Sequence, residues 1–195
     1  HYQRVLELGC GTGRLTNFIL DNYDFYVVSI DYSLSMLRKA VRGKKRVSFV
    51  AADALRLPLK QDSFDGCVSL RLCHHLDKDA LFDLFSNLKH ILKKDSTIIF
   101  NTTNIFSLAI LGAWTRFYKK KYAAQYFLNP RSMFSLLYTS GFSLIEKKRI
   151  LFVPSFVYRK IKNKTLLRAV NKVNSILEAA FPSCASMIIW KATLT

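Results

Sequence analysis

Acidic residues are scarce in this chain. Thirteen Asp and Glu stand against 30 Lys and Arg in 195 residues, a formal charge of +17. That balance excludes an acidic disordered tail, and with half of the residues hydrophobic it argues against simple disorder as well. Cysteine is scarce too: Cys10, Cys67, Cys73 and Cys184 are irregularly spaced and form no C-x-x-C pair. A disulfide framework is thereby excluded, and reduced thiols in a cytoplasmic protein are the expectation. Long apolar runs are missing. The longest, Ile105–Trp114, has ten residues and is interrupted by Ser107 and Gly112, whereas a membrane span needs about twenty. The opening residues carry no secretory pattern and run almost directly into the strand-like Arg4–Leu8. The expectation is a soluble protein that at most rests on a membrane surface.

The positive charge is unevenly placed. Residues 1–104 hold 15 basic and 11 acidic side chains, a net +4, while residues 105–195 hold 15 and two, a net +13. An excess confined to one half points to an anionic partner met there, whether phosphate, nucleic acid or an acidic membrane surface. The plainer alternative is a lysine-rich solvated face.

Apolar runs alternate with helical patterns through the first hundred residues. Val5–Leu8, Phe25–Ile30, Val47–Ala51 and Phe64–Leu70 read as strands, and Ile98–Phe100 marks a fifth. Helical spacing falls between them: Leu15, Phe18 and Ile19 within Thr12–Asp21, then Met36, Leu37 and Ala40 behind a capping Ser33. A longer helix, Ala80–Leu92, sets Leu81, Leu84, Phe85, Leu88 and Leu92 on one face. Later, Asn129 and Pro130 start a helix over Ser132–Ser140 that Gly141 ends. Phe142–Phe152 and Ser186–Leu194 complete seven strands, and a helix is expected from about Thr165 to Phe181. The expectation is an α/β, Rossmann-like, doubly wound and mostly parallel seven-stranded sheet with helices on both faces. With no repeat and no low-complexity linker, 1–195 reads as one domain. It carries a lid insertion at 105–128 and a basic helical insertion at 154–183.

Between the first strand and the first helix lies Glu7-Leu8-Gly9-Cys10-Gly11-Thr12-Gly13. Such a loop brings a ligand against backbone without Cβ, beside the positive end of a helix. A dinucleotide fingerprint requires glycine at position 14, where this chain has Arg14, which weakens the nicotinamide or flavin reading. A purely structural glycine turn stays open on this motif alone. Asp31 ends the second strand, placed to accept from a ribose diol. Asp53 ends the third, followed by Ala54 and Leu57-Pro58-Leu59, and Phe64-Asp65 opens the fourth. Any one of these is an ordinary strand terminator; three carboxylates in order behind a G-x-G-x-G turn are harder to dismiss.

In combination these residues resemble the class I S-adenosylmethionine-dependent methyltransferases, in particular the small-molecule branch. The likeness extends through Cys73–Asp77, Leu88–Lys94, the strand end Phe100–Asn104 and Pro130–Phe142, whose Tyr138–Phe142 resembles the family's closing segment. The resemblance implies S-adenosylmethionine as cofactor and S-adenosylhomocysteine as product. It implies that Glu7, Gly9, Cys10, Gly11, Thr12 and Gly13 shape the pocket under the methionine moiety. Asp31 then holds the ribose, with Tyr32 beside the adenine. Asp53 accepts from the adenine amino group, and Ala54 lines the ring. Leu70–Leu72 meet the amino-acid end, where Arg71 offers charge to its carboxylate. The family's helix before the first strand does not fall within these residues, and the glycine pair before the fifth strand is replaced by Lys94-Asp95-Ser96.

Methyl transfer needs alignment more than covalent help from the protein. A hydroxyl acceptor gains from a general base, and His75 with its neighbour His74, just past the fourth strand, are the candidates. The plainer alternative is that His75 caps or packs beneath the following helix. Cys73, His74 and His75 have the wrong spacing to hold one metal ion, so no metal is expected. The insertion at 105–128 joins Phe106, Leu108, Trp114, Phe117 and Tyr118 to Lys119-Lys120-Lys121. That composition suits a lipophilic or anionic small-molecule acceptor, or contact with anionic lipid. Two other functions remain open: an RNA methyltransferase using Arg159, Lys160, Lys162, Lys164, Arg168 and Lys172, and a protein that binds the cofactor without turnover.

Overall fold

A computed structural model describes residues 3–40, 43–104, 126, 129–150, 163–180 and 187–195. The predicted lid insertion, apart from Tyr126, lies outside the described residues, as does the basic insertion outside 163–180. Seven strands form one sheet in the order β3-β2-β1-β4-β5-β7-β6. They are β1 (Gln3–Leu8), β2 (Phe25–Asp31), β3 (Val47–Ala51), β4 (Phe64–Ser69), β5 (Leu92–Thr103), β6 (Phe142–Ile150) and β7 (Met187–Leu194). The pairs from β3 to β5 are parallel, and β7 lies antiparallel to both β5 and β6. Helices α1 (Arg14–Asn22), α2 (Leu34–Leu37) and α3 (Lys78–Ile91) fall among the parallel strands. They are followed by α4 (Pro130–Thr139) and α5 (Lys164–Ala180). Among the described residues no helix is long and apolar enough to cross a membrane.

Alternation along β2 separates two layers of core. Val28 and Ile30 join Leu6, Leu8 and the buried face of α3 in the larger cluster, which also holds Phe142, Trp190 and the α4 residues Met133, Leu136 and Leu137. Val27, one residue out of phase, joins Ile19 and Leu20 of α1 in the smaller one. Helices therefore cover both faces. Trp190 is fully buried on β7, its ring stacked on Phe100 of β5, and its indole N–H donates to Thr102 Oγ1 at 2.8 Å.

Local chemistry starts and stops the elements. The Asp77 carboxylate accepts from Ala80 N at 2.9 Å to begin α3, whose Leu81, Leu84, Phe85, Leu88 and Ile91 are buried. Asn129 accepts from Arg131 N at 2.9 Å before Pro130 at the head of α4. Three expectations need correction. Phe18 is 55% exposed; α1 starts after Gly13 and buries Thr16, Ile19 and Leu20, so its inner face carries a hydroxyl where a nonpolar stripe was read. The helix behind Ser33 is a single turn with no buried side chain, because Met36 has no core to meet. Leu92 is not the end of α3 but the first residue of β5, opposite Phe64. The replaced glycine pair lies in a bulge after it, between the Phe64 and Gly66 pairings. Asp95 there takes φ 61°, a left-handed conformation that Asp tolerates better than most residues.

Candidate functional site

The strand order reverses direction at β1, between β2 and β4, and in open α/β sheets a ligand crevice forms outside the carboxyl ends at such a point. The glycine turn lies there. The Gly9 and Cys10 amides both donate to Ile30 O, at 2.8 and 3.0 Å, and Gly13 N donates to Cys10 O at 2.9 Å. Gly9 and Gly11 take φ of 71° and 56°, the left-handed region that costs side-chain-bearing residues energy. A Cβ on Gly9 would come within 3.1 Å of Leu72 Cβ, so the turn and the loop after β4 are in near contact. A Cβ on Gly11 would meet nothing within 4 Å, leaving that backbone open to a ligand.

Asp31 is tied into this turn. Its Oδ2 accepts from Gly11 N at 2.7 Å and its Oδ1 from Ser33 N at 2.8 Å. Two backbone amides thus fix the carboxylate, and each oxygen keeps lone-pair capacity for a further donor. Tyr32, Leu34 and Met36 follow it as an exposed apolar ledge, Tyr32 at 84%. One strand further out, Asp53 is exposed; its Oδ1 accepts from Leu55 N at 2.9 Å and its carbonyl from Arg56 N at 3.0 Å. Ala54 is half-buried against the larger core cluster, and Asn87 of α3 anchors the same loop through Leu55 O at 2.7 Å.

Glu7 sits beneath the turn and is nearly inaccessible. Its Oε2 accepts from Thr16 Oγ1 at 2.5 Å and from Ser29 Oγ at 2.7 Å, and the two fully buried hydroxyls lie 3.2 Å apart. β1, α1 and β2 are joined by this one carboxyl group. Burial raises its pKa against the opposing pull of the two hydroxyls, and the nearby Asp31 adds to the rise. Thr16 and Ser29 were not among the sequence candidates. Their signal was a polar residue at a buried period on each element, one that amphipathic counting passes over.

Asp65 does not belong to the site. It stands at the opposite end of the sheet, where its Oδ2 accepts from Arg4 N and its Oδ1 from Lys93 Nζ, at 2.8 and 2.7 Å. The Arg4 amide and then Lys93 hold its carboxyl below the usual range. A residue opening a parallel strand faces away from the carboxyl ends, so only Asp31 and Asp53 remain of the three aspartates.

Past β4, Leu70 is half-buried, and Arg71 is exposed with φ 68°. The Arg71 amide donates to Asn101 Oδ1 at 2.7 Å, and Asn101 is itself buried at the end of β5. Asn101 is thus a positioning residue that the sequence reading placed only in a strand end. Its signal was a poor strand former directly after the apolar run Ile98–Phe100. The 3₁₀ turn Cys73–His75 follows. His74 is buried, and burial, then the charges of His75 and Arg71, push its pKa down to about 4, so the imidazole is neutral near pH 7. His75 is exposed, its ring 4.1 Å from that of His74. It does not cap α3, a task Asp77 performs. The thiols of Cys10 and Cys73 are buried and pushed up to about 12, and Cys67 is raised as well, so none is a nucleophile near neutrality. Thr12 is exposed on the turn. Among the described residues no group of three His, Cys, Asp or Glu side chains is arranged to hold a metal ion.

The sheet order, the glycine turn and the fixed Asp31 define a Rossmann-like methyltransferase fold. Residues 5–95 match the family model of a methyltransferase domain. A solved S-adenosylmethionine-dependent methyltransferase from Mesorhizobium loti superposes with a TM-score of 0.72 at 18% identity, over 97% of this chain and 90% of that one. The matched domain and the shared fold are those of the class I S-adenosylmethionine-dependent methyltransferases, to which the chain is similar. Among its relatives, a phosphoethanolamine N-methyltransferase from Triticum aestivum is 38% identical over 88 residues, 43% of this chain and 17% of that protein. A malonyl-[acyl-carrier protein] O-methyltransferase from Enterobacter lignolyticus is 30% identical over 139 residues, 70% of this chain and 53% of that protein. The chain therefore spans about half or less of the length of these curated relatives.

Proposed function

We propose that this chain binds S-adenosylmethionine in the crevice at the ends of β1–β4 and directs its methyl group to a small-molecule acceptor, lipophilic or anionic. The observation that carries the reading is Asp31: a carboxylate oriented by two backbone amides, one of them from the open glycine turn. The residues present fit the cofactor. Asp31 has acceptor capacity for a ribose diol, the ledge at Tyr32 suits a flat ring, and Gly11 lets a ligand reach the main chain. Asp53, with its Oδ1 on Leu55, has a second oxygen for an exocyclic amine. Leu70, Arg71 and Leu72 are assigned to the amino-acid end, and the exposed Arg71 guanidinium to its carboxylate.

When bound, the cofactor supplies a methyl group already activated by its sulfonium. What remains for the protein is orientation, which can contribute roughly 7–11 kcal/mol of the barrier, and exclusion of water. Asp31 and the glycine turn fix one end of the ligand, and Asn101 holds the loop that meets the other. His75, exposed at the rim, is assigned as the base that takes the proton from an acceptor hydroxyl or amine; His74 stays neutral behind it. A small anionic acceptor is supported by the Triticum aestivum relative, whose name gives phosphoethanolamine; that of the Enterobacter relative gives a malonyl group borne on acyl-carrier protein. The +13 charge of residues 105–195 suits an anionic acceptor.

Calorimetry of the full chain with S-adenosylmethionine tests the reading. Binding is expected, and Asp31→Ala should weaken it at least about tenfold, through loss of charge-assisted hydrogen bonds. Unchanged affinity in that variant would misplace the ribose, and no binding by the folded wild type would remove the cofactor. The RNA alternative predicts affinity for RNA that falls steeply between low and physiological salt.

A further inference from the structure

Helix α5, Lys164–Ala180, runs for 17 residues and not one of its described side chains is buried. Its composition is unlike that of a solvated helix. At 100° per residue Leu166, Ala169, Val170, Val173, Ile176 and Ala180 fall on one side. Leu166, Val173 and Ile176 are 53, 51 and 57% exposed. Arg168 and Lys172, four apart and both exposed, share the neighbouring face, and Glu178 is the only acid in the helix. From Arg159 to Lys172 the sequence has six cations and no acid.

We propose that α5 is a peripheral docking helix that lies on an anionic lipid bilayer, with the Leu166–Val173–Ile176 stripe in the acyl boundary and Arg168 and Lys172 among the lipid phosphates. Charge selects this occupant. An apolar stripe edged by cations is the pattern of a helix lying in the plane of an acidic membrane interface. RNA would use the cations and leave the stripe in water. A second copy of a +17 chain would set like charges beside one another. The inference is independent of the methyltransferase reading, since vesicle binding needs neither cofactor nor acceptor.

The test is co-sedimentation of the full chain with vesicles of phosphatidylcholine, with and without one third phosphatidylglycerol. Binding is expected only to the anionic vesicles, weakening as salt is raised. Arg168→Glu with Lys172→Glu should weaken it by roughly 25-fold or more, about fivefold for each cation lost. The uncharged pair Val173→Ser with Ile176→Ser should weaken it by about tenfold or more, with the circular dichroism of the chain unchanged. Should either double variant fail to fold, hydrogen exchange of the wild type decides: anionic vesicles must slow the amides of 164–180. Failure to bind anionic vesicles, equal binding to both compositions, or full binding by the serine pair overturns the proposal. So does self-association that the serine pair abolishes, or protection of α5 by an RNA oligonucleotide in place of vesicles.

Discussion

Replacing Glu7 by alanine removes the acceptor at which β1, α1 and β2 meet. Thr16 Oγ1 and Ser29 Oγ both lose their bond to Oε2, yet they lie 3.2 Å apart and can still bond to each other. The loss is therefore close to that of one buried unsatisfied hydroxyl, about 1–3 kcal/mol, plus the space vacated by a side chain in a dry site. Together these come to roughly 2–4 kcal/mol, which in a domain of this size lowers Tm by about 5–15 °C. Glu7→Gln keeps an acceptor and the volume, and should stay within about 1 kcal/mol of the wild type. Burial raises the pKa of Glu7, so its protonated form is the one the fold prefers. That contribution is complete at pH below the ordinary carboxyl value and is lost as pH rises through the raised one. Glu7→Gln, which cannot ionise, should accordingly gain on the wild type between pH 5 and pH 8. Thermal melts of the three proteins at both pH values measure all of this. A drop of under about 3 °C for Glu7→Ala, or equal drops for Ala and Gln, would refute the account.

His74 has the opposite sign. Its folded pKa of about 4 lies below that of the unfolded chain, so stability should fall as pH drops from about 6.5 towards 4. In His74→Asn that part of the slope should vanish in melts across the same range. His75→Ala should lower kcat by about 10²–10⁴-fold while cofactor affinity holds; unchanged kcat would remove it as the base. Asn101→Ala leaves the Arg71 amide, held at φ 68°, without its partner. It should cost about 1–3 kcal/mol in denaturant unfolding and raise the KM for cofactor more than Asn101→Asp, which keeps an acceptor.

The alternation of apolar runs with helical spacing was readable because buried parallel strands such as Val5–Leu8 and Phe25–Ile30 are nearly uniform in hydrophobicity, and the helices between them are not. The glycine turn and Asp31 were readable because both sit where a strand stops. What escaped depends on direction and partnership. Asp65 looks like Asp31 in one dimension; only strand polarity sends it to the far end of the sheet. Thr16 and Ser29 became intelligible once Glu7 was found between them, 9 and 22 positions away in sequence. Helical spacing alone puts Phe18 inward because phase is ambiguous by a residue in sequence, whereas α1, starting after Gly13, buries Thr16, Ile19 and Leu20. Leu92 satisfies a helical period and a strand partner equally well, and Phe64 decided between them. Arg71 gave no sign of its φ, which arises from the tether at Asn101.

The place of β7 constrains the order in which this molecule can be assembled. Among the described residues strand β6 pairs with β7 alone, and β7 alone joins it to β5. The five parallel strands and the crevice can therefore form while β6 still has no edge to occupy. Synthesis reaches β6 before β7, so a ribosome-bound chain must carry β6 without its strand partner until Met187–Leu194 emerges. Trp190, stacked on Phe100 in the finished sheet, is the natural reporter of that step. Its burial should trail the appearance of a competent cofactor crevice, so the two halves of one continuous sheet are separated in time.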